Sequence, residues 1–149
     1  MSRLLIIGYG NPLRGDDAVG YLAAERLREL LTGPDIEILA VHQLTPELAD
    51  PISRAERVIF IDAAVTGEPG VILERPITPA PDSGGYTHHS TPSALLAASA
   101  TLFGSSPEAT LYSIPGESFE FGEGLTPRVA ESLESLCTVC FSLPSSLQI

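Results

Sequence analysis

Leu5-Ile6-Ile7-Gly8-Tyr9-Gly10-Asn11-Pro12-Leu13-Arg14-Gly15-Asp16-Asp17-Ala18-Val19-Gly20 holds the decision about the fold. A short apolar run, the length of a buried strand, ends in a glycine-rich turn. Two adjacent carboxylates follow where a helix begins. A phosphate-binding turn keeps such a helix mouth electropositive, so that backbone N–H groups can meet an anion. Here the chain fills the mouth with negative charge, which suits a cation or a protonated group. The simpler account is that Asp16 and Asp17 cap the helix and offset its dipole, worth roughly 0.3–1 kcal/mol.

Outward from this stretch, strands and helices alternate. Leu4–Gly8 reads as a first strand. Val19, Leu22, Ala23, Leu27 and Leu30 make a helical stripe that stops near Gly33-Pro34. Ile36–Val41 and Arg57–Asp62 read as second and third strands, Val71–Arg75 as an edge strand with one wet face, and Ala109–Ile114 as a further strand. Thr45-Pro46, Thr91-Pro92 and Thr126-Pro127 each offer a threonine N-cap with proline at the first helical position. The segment Pro76–Ser90, rich in Pro, Gly and Ser, reads as a loop within one domain spanning 1–149. This alternation predicts a largely parallel sheet covered on both faces, with its chemistry beyond the carboxyl ends of the strands.

Composition narrows the function. At 149 residues the chain is long enough to bury about 70% of its unfolded surface as one domain. All eight basic residues are arginine, so a Walker-type phosphate loop, a Schiff-base lysine and a lysine general base are excluded. The net charge of −11 argues against nucleic acid and anionic membrane surfaces, which need a cationic footprint. No charged and apolar leader opens the chain and no apolar run approaches the roughly 18 residues of a membrane span, so the expectation is a soluble cytoplasmic protein. Cys137 and Cys140 form a C-x-x-C. They fall in phase with Val129, Leu133 and Leu136 on a helical stripe, which reads as core rather than as a redox pair.

Asp17 follows the first strand, Asp62 ends the third, and His88 and His89 precede a helix. Two carboxylates and one imidazole, from either His88 or His89, would leave a position open for water or substrate. Such donors suit zinc, nickel, cobalt or manganese better than calcium or magnesium. The blander alternatives are that Asp62 hydrogen-bonds its own loop and that the histidines are solvated. A Rossmann-like nucleotide binder is disfavoured: Leu13 stands where G-x-G-x-x-G needs its third glycine, and the second strand ends Ala40-Val41-His42 without an acid. The absence of G-x-S-x-G disfavours an α/β-hydrolase.

In combination, Gly8-Tyr9-Gly10-Asn11-Pro12-Leu13, Asp16-Asp17-Ala18-Val19-Gly20, Ile61-Asp62-Ala63, Thr87-His88-His89 and Gly122-Glu123-Gly124-Leu125-Thr126-Pro127 resemble the hydrogenase maturation endopeptidases. These enzymes trim the C-terminal extension from the large subunit of [NiFe] hydrogenases. The resemblance spans nearly the whole chain. It implies a three-layer α/β/α sandwich around a five-stranded, mostly parallel twisted sheet, and a hydrolase of aspartyl or metallo type.

The resemblance also implies catalytic and metal-recognising roles for Asp17, Asp62 and His88. An ungapped register to Leu95-Leu96 selects His88 over His89. The implied metal is nickel carried by the substrate, with zinc or cadmium able to occupy the site in vitro. The implied partner is the hydrogenase large-subunit precursor, met by a monomer, with no nucleic acid and no membrane. Asp16, His89 and His42 are candidates to support or replace these ligands, and Asp16 or Glu117 to act as general base. Where relatives carry Asp-Gly-Gly-Thr, this chain has Ala40-Val41-His42-Gln43, which assigns His42 to substrate contact or ligand support. The alternative function is a nickel-binding maturation chaperone that cuts nothing.

Overall fold

β1 (Leu4–Tyr9) and β3 (Arg57–Ala64) lie side by side in a five-stranded sheet of order β2-β1-β3-β5-β4, completed by β2 (Ile36–Val41), β4 (Leu73–Ile77) and β5 (Glu108–Pro115). The computed structural model describes residues 4–31, 33–80 and 90–147, with side-chain detail up to residue 138. β2, β1, β3 and β5 are parallel, and β4 adds antiparallel to β5 as an edge. Among the described residues the α-helices are α1 (Val19–Leu30), α2 (Ala49–Ser53), α3 (Pro92–Phe103) and α4 (Pro127–Leu147).

Strand periodicity divides the core in two. Leu4, Ile6, Ile59, Ile61 and Ile114 face α1 and α4, meeting Val19, Leu27, Val129, Leu133 and Leu136. Leu5, Ile7, Val58, Phe60 and Leu111 face the other way, meeting Ile52 of α2 and Leu95 and Leu96 of α3. Layers of helix, sheet and helix follow, as the alternation predicts. Cys137 is buried in the first cluster, so the helical stripe is core at that position.

The edge strand differs from its sequence reading. It is displaced from Val71–Arg75 to Leu73–Ile77 and takes Pro76 into the ladder opposite Thr110. An edge strand tolerates proline because one side of its backbone makes no ladder bonds. Buried Ile77, packed with Ala109, anchors this end, so the expected loop loses its first two residues to the sheet.

The threonine–proline starts also divide. Thr91 accepts from the Ala94 N–H at 3.1 Å, an ordinary N-cap. Thr45 makes no side-chain cap, and Pro46–Leu48 after it is a 3₁₀ turn that leads into α2. Thr126 turns its hydroxyl toward Asp16.

After β1 the chain crosses to β2 on one side, and after β2 it returns to β3 on the other. The crevice beyond the carboxyl ends of β1 and β3 is therefore the topological switch point of the sheet, where α/β proteins place their ligands.

Candidate active site

The turn after β1 is built by its own side chains. Asn11 Oδ1 accepts from the Leu13 N–H at 2.9 Å, and the Asn11 carbonyl accepts from the Arg14 N–H at 3.1 Å, with Pro12 between them as a turn former. Gly10 has φ +154°, and a Cβ there would lie 1.9 Å from the Asp17 carbonyl oxygen. Only glycine lets the turn fold back so closely. This brings the Asp17 carboxylate to the Asn11 N–H, from which it accepts at 2.8 Å.

Neither acid caps α1. Both lie in the 3₁₀ turn Gly15–Ala18, and the N-cap residue is Ala18. Asp16 is fully buried and is spent on a distant loop. It accepts from the N–H groups of Glu117 (2.8 Å), Ser118 (3.0 Å) and Thr126 (2.8 Å) and from the Thr126 hydroxyl (2.8 Å). Burial by itself would raise its pKa; the bonds from Thr126, Glu117 and Ser118 outweigh that and hold it below the usual carboxylate range. Backbone pairs between Gly15 and Gly122, Gly122 and Leu13, and Asp16 and Ser118 complete the join. As general base Asp16 is corrected: both its oxygens are engaged away from solvent. Glu117 is exposed, gives its N–H to Asp16, and does not line the cleft described next.

A cleft of about 200 Å³ at the switch point is lined by Tyr9, Gly10, Asp17, His42, Asp62 and Ser90, among others. Asp62 is half-buried at the end of the apolar column Val58, Phe60. Its Oδ2 accepts from the Tyr9 hydroxyl at 2.9 Å and its Oδ1 from the Ser113 hydroxyl at 2.7 Å. Burial pushes its pKa up, against the opposing pull of Ser113, Tyr9 and the Arg75 charge, and the Asp17 charge adds to the rise. The Tyr9 phenol is pushed far up, first by burial and then by the Asp62 charge, so it stays protonated and donates. A larger hollow of about 500 Å³, at the other end of the strands, contains Arg57 and Glu108 already paired at 3.0 Å.

Thus Asp17 and Asp62, 45 residues apart in sequence, line one cleft. His42 joins them there, its ring 5.2 Å from that of Tyr21. His88 and His89 lie outside the described residues. Ser90, which follows them in sequence, lines the cleft and gives its N–H to the Leu44 carbonyl at 3.1 Å. Among the described residues no three His, Cys, Asp or Glu side chains form a group able to hold a metal ion.

Sequence reasoning missed Tyr9 and Ser113 as partners of Asp62. The signal was present in the strand alternation: Leu5-Ile7-Tyr9, Phe60-Asp62 and Leu111-Ser113 each carry an inward column outward to a polar end.

No family model matches the chain. The chain is 31% identical over 138 residues to the hydrogenase 2 maturation protease of Escherichia coli strain K12, covering 89% of this chain and 84% of that protein. Among solved structures it is similar to the [NiFe] hydrogenase maturation protease HycI of Thermococcus kodakarensis KOD1, with TM-score 0.77, 29% identity, and coverage of 95% of this chain and 91% of that one. The hydrogenase-maturating endopeptidase HybD of E. coli matches with TM-score 0.77 and 27% identity, over 97% of this chain and 93% of that one.

Proposed function

The chain belongs to the family of hydrogenase maturation proteases, and from that premise we propose that it hydrolyses one peptide bond near the C-terminus of a nickel-loaded [NiFe] hydrogenase large-subunit precursor. Asp17, Asp62 and His88 recognise the nickel, which arrives as part of the substrate. His89 is the alternative imidazole, and zinc or cadmium stands in for nickel in vitro. The observation that carries this reading is the meeting of Asp17 and Asp62 in one cleft at the switch point.

The chemistry of the donors supports it. Two carboxylates in one cleft repel each other, and a cation supplied by the substrate offsets that repulsion. Burial makes Asp62 more basic than an ordinary carboxylate, hence a better donor to a cation. Asp17 is aimed by the Asn11 N–H. His42, at the cleft and leaning on Tyr21, contacts the precursor beside the scissile segment. A two-carboxylate site with one imidazole is weak alone and gains affinity when the precursor brings further donors, so metal loading becomes the signal for cutting. The enzyme acts as a cytoplasmic monomer, since one cleft serves one docked precursor. No described helix is long and apolar enough to cross a membrane.

Mass spectrometry of the large-subunit precursor, with and without nickel, tests the reading. The wild-type protein shortens only the nickel-loaded form. Asp62→Ala abolishes shortening while circular dichroism stays native, and processing at the wild-type rate by Asp62→Ala would overturn the assignment. Calorimetric titration of His88→Ala and His89→Ala with nickel and cadmium assigns the imidazole: only His88→Ala loses binding.

A further inference from the structure

Tyr9, Asp62 and Ser113 stand in one row across three adjacent parallel strands. The register pairs Asp62 with Ser113 and, one residue earlier, Gly8 with Ile61, which sets Tyr9 beside Asp62. The row beneath, on the same face, is Ile7, Phe60 and Leu111, all buried. An apolar triplet therefore gives way, in a single step toward the cleft, to hydroxyl, carboxylate and hydroxyl.

We infer that Tyr9 and Ser113 are positioning residues that fix the Asp62 carboxylate for substrate; the inference rests on the function proposed above. A carboxylate offers about four lone-pair sites, two on each oxygen. The Tyr9 hydroxyl takes one on Oδ2 at 2.9 Å, and the Ser113 hydroxyl takes one on Oδ1 at 2.7 Å. Donors on both oxygens, from strands on opposite sides, stop rotation about the Cβ–Cγ bond. One lone pair per oxygen is left over. Both hydroxyls sit on the sheet, so their own positions are set by the ladder rather than by a loop. Tyr9 also lines the cleft directly.

Removing one donor leaves Asp62 present but free to swing. An interaction made equally in the bound precursor and in the transition state shows itself in KM. Tyr9→Phe keeps the ring and removes only the hydroxyl. Ser113→Ala removes the other donor, and Ser113→Thr keeps it. With nickel-loaded precursor, Tyr9→Phe and Ser113→Ala each raise KM about tenfold with kcat within about twofold of wild type, whereas Ser113→Thr stays within about threefold in KM. The serine pair carries the test independently of any folding defect in Tyr9→Phe. Unchanged KM in Tyr9→Phe and Ser113→Ala, with Asp62→Ala inactive, overturns the positioning role alone. A fall in kcat at constant KM also overturns it, making these groups catalytic. Wild-type processing by Asp62→Ala overturns both this inference and the function beneath it.

Discussion

Asp16 and Asp17 are neighbours with opposite assignments, and hydrogen-bond geometry separates them. Asp17 accepts one bond and faces the cleft, whereas Asp16 accepts four and faces the protein. Asp16→Ala leaves three part-buried backbone N–H groups without their acceptor and costs about 2–3 kcal/mol. Urea unfolding checks this.

The pH dependence follows from the same contacts. Asp16 has a folded pKa below its ordinary value of 3.8, so its contribution to stability is present above that pH and is lost as pH falls through the folded value. Asp62 runs the other way: its pKa is raised in the fold, so its burial costs stability as pH rises through that value. Thermal melts across pH 3–7 therefore show a flatter acid limb in Asp16→Asn, and loss of the opposing slope in Asp62→Asn. The acidic pair itself was legible in the sequence. Which member faced the cleft was not, because the donors to Asp16 lie 101 to 110 residues away.

At the scale of elements, the closeness of α1 to the sheet decides the geometry of the mouth. A Cβ on Gly20 would lie 2.3 Å from the Ile61 carbonyl oxygen and 2.4 Å from that of Tyr9, both backbone atoms of central strands. Gly20→Ala therefore pushes α1 off β1 and β3 and lowers stability by about 3 kcal/mol or more, read as a fall in Tm of roughly 6–12 °C. Strands were legible wherever periodicity was local: Ile36–Val41 matches residue for residue, and Arg57–Asp62 falls short by two. The edge strand was misplaced because Pro76 reads as a breaker, while the burial of Ile77 that overrides it depends on Ala109 across the ladder. The threonine–proline starts marked helices correctly. They did not reveal that Thr126 serves Asp16, a contact between opposite ends of the chain.

Across the whole molecule, two apolar layers share one sheet, and the layer under α1 and α4 encloses a thiol. Burial pushes the Cys137 thiol up to about 11, with Glu134 adding to the rise and Arg26 opposing it. At neutral pH the native protein therefore leaves Cys137 unlabelled by iodoacetamide, and labelling appears only with unfolding; peptide mapping by mass spectrometry reads this at the single residue. The family resemblance read from short motifs agrees with a relative aligned over 138 residues, because those motifs mark the turns at the ends of β1 and β3 and before α4. What motifs do not carry is lateral register. The row Tyr9, Asp62, Ser113 exists only once three strands have paired.

The join between Asp16 and Thr126 has a consequence for biosynthesis. A nascent chain that has emerged through β5 already possesses both cleft carboxylates and the strands that bear them. Until Glu117, Ser118 and Thr126 have followed, however, the turn beneath Asp17 lacks the donors that lock it down. Closing a loop of about a hundred residues between Asp16 and its donors is entropically costly, so the turn under the cleft is pinned late in folding.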